Sequence, residues 1–231
     1  MTPTPPALIE TMRLAHGRIA LWPGHQARLQ ASAAALGYPL DPVALNAQVS
    51  AAIRASATAA LAQDGRPSEP SPVWRIRLLL AADGALSLET TPLPDTPTPV
   101  RLALAQERLD EAPSATDASI WRRHKTTRRP WFSAAQDWLL AHPDYFDLVF
   151  GDAAGALCEG SRCNLYVRDA QGCWLTPPAD GTILPGVQRQ WLLDQSLVRE
   201  AALSLVDLRH APALRVSNAL RGWLDAQLDA A

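Results

Sequence analysis

The most regular pattern in the chain lies at 73–90. In "VWRIRLLL", Trp74, Ile76, Leu78 and Leu80 alternate with Arg75 and Arg77; a turn follows at Asp83-Gly84 and the chain returns as "ALSLET". Alternation with period two predicts a half-buried hairpin. Earlier, "ALIETMRLAHGRIALW" reads as two short strands about a turn at His16-Gly17. A helix follows over "GHQARLQASAAALG", with Leu29, Ala33 and Leu36 on one face, ended by Gly37 and Pro39. A second helix opens at Asp41-Pro42, a capping residue before a first-turn proline, and turns Leu45, Val49, Ala52 and Ile53 inward. "GRPSEPSP" reads as a loop.

Prolines crowd "TTPLPDTPTPV", so 91–99 is expected to be a linker between domains 1–95 and 100–231. The second domain is expected to open with a strand over "VRLALAQERL" and to form a helix over "WFSAAQDWLLAH". Short strands follow in "DLVFG", "LCEG", "NLYVRD" and "CWLTP", then one long helix from about Gly186 through "VQRQWLLDQSLVREAAL". The closing "LRGWLDAQLDAA" shows no apolar strand. Strands without regular strand–helix alternation favour an α+β fold over a doubly wound sheet.

The 231 residues suffice to bury a substantial core, and 48% hydrophobic with 19% charged residues argues against disorder. A formal net charge of −2 argues against global attraction to nucleic acid or an anionic membrane. No run reaches a membrane span, and the first residues lack the basic start and apolar core of a signal peptide, so a cytoplasmic protein is expected. Cys158, Cys163 and Cys173 are odd in number and lack a fourth ligand, which reads as ordinary core residues, with no metal site.

Charge usage is more informative. The chain has twenty arginines and one lysine, Lys125, inside "WRRHKTTRRP". Guanidinium stays protonated, whereas a desolvated lysine can be a neutral amine, a nucleophile and a base, so Lys125 is a candidate for amine chemistry. The basic stretch with flanking aromatics could instead bind nucleic acid, although no accompanying motif supports that. In "GTILPGVQRQWLL", Gly186 opens a helix and leaves the N–H groups of Val187 and Gln188 for a phosphate or for nothing more than a turn. Glu159 is either an exposed strand end or an inward carboxylate in need of a cation. Arg28 is either a surface arginine or an anion ligand.

Four segments in this order resemble the class IV aminotransferase-like, fold-type IV family of pyridoxal phosphate enzymes. They are "LIETMRLAHGRIALWPGHQARLQASAAALG", "HKTTRR", "LCEGSRCNLYV" and "LTPPADGTILPGVQRQ". The resemblance implies a small N-terminal α/β domain, a C-terminal pseudo-barrel domain, a homodimer and an amino-bearing small-molecule substrate. It implies that Lys125 bonds covalently to pyridoxal 5'-phosphate and that Glu159 pairs with the pyridine nitrogen. Arg28, Gly186, Val187 and Gln188 would form the phosphate cup, with Ser217 and Asn218 in "RVSNALRG" as further contacts and Asn164 as structural support. "LIETMR" with "HKTT" most resembles members that split 4-amino-4-deoxychorismate into 4-aminobenzoate and pyruvate in folate biosynthesis. Aminotransferases of branched-chain or D-amino acids are the alternative, and a binding protein without catalysis a further one. Where many members carry a tyrosine beyond the lysine, this chain has Pro130, Trp131 and Phe132.

Overall fold

The computed structural model describes residues 5–64, 72–110, 120–181 and 183–229. The chain forms two compact units, residues 1–95 with 125–128, and 96–124 with 129–231. Most of the loop read at 65–72 lies outside the described residues.

The first unit holds an antiparallel sheet of β1 (Leu8–Leu14), β2 (Trp74–Leu80) and β3 (Leu86–Pro92) in that order, with helices α1 (Trp22–Leu36) and α2 (Pro42–Asp64). The hairpin forms as the alternation predicts: Trp74, Ile76, Leu78 and Leu80 are buried together with Leu8, Met12 and Leu14, and Leu29, Ala33, Leu45 and Val49 pack against them. Gly37 ends α1 in the left-handed conformation (φ 71°), its N–H reaching back to the carbonyls of Ala33 and Ala34. Of the two strands expected around His16-Gly17, only β1 is a strand; a single Ala15–Arg18 bridge closes the turn and the chain enters α1.

Period two puts Glu10 on the same face of β1 as Leu8, Met12 and Leu14, so its carboxylate lies in the core, 1% exposed. A lone charge there would be prohibitive, and α1 supplies its partners. Arg28 donates through Nε to Oε1 (2.9 Å) and through Nη2 to Oε2 (2.6 Å), and His25 Nδ1 lies 2.5 Å from Oε2. The free edge of β1 is covered by the lysine segment. Ile9 N–H donates to the Lys125 carbonyl at 2.8 Å, Thr127 N–H to the Ala7 carbonyl at 2.9 Å, and Leu8 pairs with Thr126. These bonds are why Lys125–Arg128 belongs with the first unit, although the expected second domain ran unbroken over 100–231.

The second unit is built on one mixed sheet of eight strands. In chain order these are β4 (Val100–Leu104), β5 (Asp147–Gly151), β6 (Leu157–Gly160), β7 (Asn164–Arg168), β8 (Trp174–Thr176), β9 (Arg199–Glu200), β10 (Leu214–Asn218) and β11 (Gly222–Leu228). Their order in space is β6-β5-β4-β11-β10-β7-β8-β9. This order forces a curl. In a flat sheet β6 and β7 would stand five strand spacings apart, roughly 24 Å, yet the chain passes from Gly160 to Asn164 in four residues, at most about 14 Å. Bending the sheet brings the two strands together, and Gly160 N–H donates to the Cys163 carbonyl at 2.8 Å. The result is a mixed α+β unit with a half-barrel sheet, in line with the expected α+β fold and pseudo-barrel domain. Its core holds Leu102, Leu104, Val149, Leu165 and Val216 on one side, and Ala103, Leu148, Phe150, Trp131 and Phe132 on the other.

Helices α3 (Ala105–Arg108), α4 (Ser133–Ala141), α5 (Val187–Asp194) and α6 (Leu205–His210) complete the unit. Three expectations are corrected. The strand read over 100–109 stops at Leu104 and turns into α3. The long helix from Gly186 breaks after Asp194, where Ser196 adopts a positive φ of 55°, and a separate helix α6 starts in a capping box made by Ser204 and Asp207. The C-terminal end does form a strand, β11, because parallel pairing with β4 and antiparallel pairing with β10 satisfy a backbone whose side chains alone did not mark it.

Burial pushes the Glu10 pKa up, but the Arg28 charge and the hydrogen bonds from His25 and Arg28 outweigh it and lower the value to about 2. A carboxylate depressed from 4.5 contributes stability that is present above pH 4.5 and lost as the pH falls toward 2, up to about 3 kcal/mol. Glu10→Gln should therefore be less stable than wild type at neutral pH and show a flatter loss between pH 4.5 and 2, measured by urea unfolding across pH. Unchanged acid sensitivity would show that the carboxylate is not so held.

Candidate active site

The turn between β6 and β7 carries Glu159 at its start and Asn164 at its end, and it is built around one buried carboxylate. Asp147, the first residue of β5, is fully buried. Its Oδ1 accepts the N–H of Leu148 (2.9 Å), the N–H of Ser161 (3.0 Å) and the Ser161 hydroxyl (2.6 Å), while Oδ2 accepts the N–H of Arg162 (2.9 Å). Gly160 is required by space: a Cβ there would lie 2.3 Å from Asp147 Oδ2. Arg129 grips the turn from the other side, Nη2 donating to the Ser161 carbonyl at 2.7 Å.

The two ends of the turn hold a single residue, Leu184, by its N–H and its carbonyl. Glu159 Oε2 accepts the N–H of Leu184 at 3.0 Å, and Asn164 Nδ2 donates to the Leu184 carbonyl at 3.1 Å. Leu184 leads through Pro185 into Gly186, which precedes α5. A Cβ on Gly186 would lie 2.0 Å from Asn164 Oδ1, so only glycine lets the loop approach so closely. No side chain caps α5, which leaves the N–H groups of Val187 and Gln188 at its first turn directed out of the helix end. Behind them Arg189, 2% exposed, donates to the Pro177 carbonyl (2.7 Å) and to Glu200 (2.5 Å) and ties α5 to β8 and β9.

Glu159 is 7% exposed. Burial pushes its pKa up, partly countered by the charges of Arg129 and Arg122 and by the Leu184 N–H, to about 7. The two arginines lie on aromatic rings: Arg122, buried, 5.0 Å from the Trp131 centroid, and Arg129, half-buried, 4.7 Å from that of Phe132. Arg123 and Arg128 are exposed, so the basic stretch read as one patch divides into inward and outward members. Burial and the neighbouring Arg123 lower the pKa of half-buried His124. Cys158 is pushed up to about 12 by burial and Cys163 is likewise raised, which leaves both thiols protonated. Among the described residues no cluster of potential metal ligands occurs and no helix is long and apolar enough to cross a membrane.

The remaining expected residues occupy defined places. The Ser217 hydroxyl, on β10, meets the Tyr166 hydroxyl at 2.8 Å beneath α5. The Asn218 side chain is used within the fold: Nδ2 donates to the Arg162 carbonyl, and Oδ1 accepts the N–H groups of Leu220 and Arg221. In the first unit, the Nε/Nη2 edge of Arg28 is taken by Glu10. Asp147 and Glu10, which hold these elements, were not singled out from sequence; the available signal was an acidic residue within an apolar strand.

The residues present fit pyridoxal phosphate. A helix terminus without a side-chain cap suits a phosphate, and a buried carboxylate pushed upward suits a cationic ring nitrogen. In the ligand-free protein, Glu159 gives stability that is full below pH 4.5 and lost as the pH rises through about 7. Glu159→Gln should keep that stability, flattening the decline between pH 4.5 and 7 by up to about 3 kcal/mol; a decline equal to wild type in urea unfolding would refute the burial argument.

The family model for class IV amino-transferases matches residues 7–227. No curated protein sequence matches the chain. Among solved structures, a protein from Mesorhizobium loti named as an amino-acid aminotransferase is 32% identical, with 97% of this chain and 100% of that one covered and a TM-score of 0.76. A hypothetical aminotransferase from Mycobacterium tuberculosis in its pyridoxal-phosphate-bound form is 20% identical over 96% of this chain and 81% of its own, TM-score 0.76. A Legionella pneumophila protein named as a 4-amino-4-deoxychorismate lyase is 19% identical over 96% and 82%, TM-score 0.74. The match over nearly the whole chain, on a fold that presents the glutamate, the asparagine and the glycine-led helix together, shows that this protein belongs to the class IV amino-transferase family of pyridoxal-phosphate-dependent enzymes.

Proposed function

We propose that the chain is a lyase that converts 4-amino-4-deoxychorismate into 4-aminobenzoate and pyruvate, with Lys125 as its catalytic amine. The observation that carries this reading is the pair of inward guanidinium groups, Arg122 and Arg129, whose charges act on Glu159. The substrate named has two carboxylates, and two cations suit it better than a branched-chain amino acid with one. The sequence of β1, "LIETMRL", supports the same choice.

Bound pyridoxal phosphate supplies an electron sink beside the amine-bearing carbon of the substrate. Glu159 places a negative charge at the ring nitrogen and holds the proton there. The N–H groups of Val187 and Gln188 bind the phosphate, with Arg28 as a further cation held in place by Glu10. The Lys125 amine takes the proton from the amine-bearing ring carbon, the ring–oxygen bond of the ether breaks with its electron pair on oxygen, and the Lys125 ammonium returns the proton to the departing enolate, which leaves as pyruvate while the ring becomes aromatic. Trp131 and Phe132 are buried in the core and offer no hydroxyl, so no residue in the expected tyrosine region takes part.

A second reading, an amino-acid aminotransferase, is supported by the Mesorhizobium loti relative. It uses the same residues, with Lys125 returning the proton to the cofactor and a keto acid released. A homodimer is part of either reading and is measurable by light scattering.

Borohydride reduction of the purified holoenzyme should fix the cofactor to Lys125, read by mass spectrometry of the peptide. Lys125→Ala should lose that adduct and fall by roughly 10²–10⁴ in turnover. Pyruvate released from 4-amino-4-deoxychorismate without any added amino acceptor is the expected outcome; product formed only when a keto acid is supplied would establish the aminotransferase instead. A protein that neither colours with pyridoxal phosphate nor forms the Lys125 adduct would sink both.

A further inference from the structure

We propose that Asp147 is the positioning residue for Glu159, setting where its carboxylate stands toward the ring nitrogen of the cofactor. The inference rests on the reading of Glu159 as the ring-nitrogen partner.

Glu159 belongs to a short strand, and the residue after it, Gly160, is where β6 ends. What fixes the strand's end is the turn at 160–163, in which Cys163 reaches the apolar core while Asp147 holds the polar backbone. Its two oxygens collect three hydrogen bonds from the turn, two from Ser161 and one from the Arg162 N–H, and one from its own neighbour Leu148. The carboxylate also sits against the Gly160 backbone, in the space a side chain would need. Arg129 then holds the Ser161 carbonyl from the opposite side. A turn held at its N–H groups, its carbonyl and its Cα has one position available.

That position propagates in two directions. Backward along the chain it fixes Glu159, and forward it fixes Asn164. Because these two residues take the N–H and the carbonyl of the same residue, Leu184, a shift of the turn must move Glu159 relative to Leu184 or carry both along. Asp147 itself is buried one strand away on β5 and makes none of these contacts to Leu184, so its effect on the cofactor runs through Glu159.

The test uses the holoenzyme and two readouts other than turnover: the pH titration of the bound cofactor's visible spectrum, and the affinity for pyridoxal phosphate from tryptophan fluorescence. Glu159→Gln defines the effect of losing the ring-nitrogen carboxylate. Asp147→Asn should shift the spectral titration in the same direction and weaken cofactor binding by about tenfold or more, the scale of a lost hydrogen-bonding charge. Gly160→Ala, which drives a Cβ into Asp147, should do likewise. In the double variant with Glu159→Gln, Asp147→Asn should add no further spectral shift, because the group it positions is already gone. Ser161→Ala removes only the hydroxyl bond to Asp147 and decides the matter if Asp147→Asn does not fold: a smaller shift in the same direction supports the inference. Variants that lower the unfolding midpoint yet keep the wild-type spectrum and affinity would overturn it and leave the role of Glu159 standing. A Glu159→Gln enzyme with a wild-type spectrum would instead remove the reading of Glu159 and this inference together.

Discussion

A carboxylate with no access to water must find its hydrogen bonds in the protein, and the candidate site grows outward from where Asp147 finds them. Its partners are the N–H groups and the hydroxyl of a four-residue turn. The turn in turn presents a glutamate and an asparagine, and these grasp one residue, Leu184, of the loop that opens helix α5. Each link is a hydrogen bond to a group that would otherwise be buried and unsatisfied, so releasing one leaves the next exposed to the same penalty. The half-barrel is what makes the chain of contacts geometrically possible, since only a curled sheet brings β6 and β7 within reach of a four-residue connection.

The first unit solves a similar problem with a different result. Glu10 is drawn into an apolar row by strand alternation, and α1 answers it with one permanently charged group and one imidazole on the same helical face. Asp147 takes its hydrogen bonds from neutral donors, with the Arg162 guanidinium 4.0 Å away, and holds a backbone in place; Glu10 is hydrogen-bonded directly by a charged group and holds a side chain, Arg28. The two carboxylates therefore act on their surroundings differently, the one as a template for a turn and the other as an anchor for a cation.

Much of this could be read from the residues. The hairpin at 74–92, the first two helices and the glycine-led start of α5 follow from periodicity and capping, because local sequence decides them. The glutamate and the asparagine in "EGSRCN" are singled out only by the family resemblance, since the residues alone leave Glu159 open between an exposed strand end and an inward carboxylate. What was not legible depends on contacts distant in sequence. Asp147 looks like the polar edge of an apolar strand until its partners fourteen residues later are known, and "GWLDAQL" becomes a strand only because β4 and β10 flank it. The break after Asp194 has neither proline nor glycine to announce it. The division of the basic stretch into Arg122 and Arg129 inward, Arg123 and Arg128 outward, is likewise decided by the aromatic rings of Trp131 and Phe132, which lie in the core.

Gly160 and Gly186 are closed to any side chain by a neighbour that is itself polar and committed, Asp147 for one, with Cys163 Sγ crowding the same space, and Asn164 for the other. Each glycine and its neighbour thus form a matched pair in which neither member can be exchanged alone: a larger residue at 160 or 186 becomes tolerable only after its opposite has already been shortened, and the shortened opposite no longer holds the turn or the loop. Single-step sequence change is blocked from both directions, so the site can be retuned around these four positions but hardly through them.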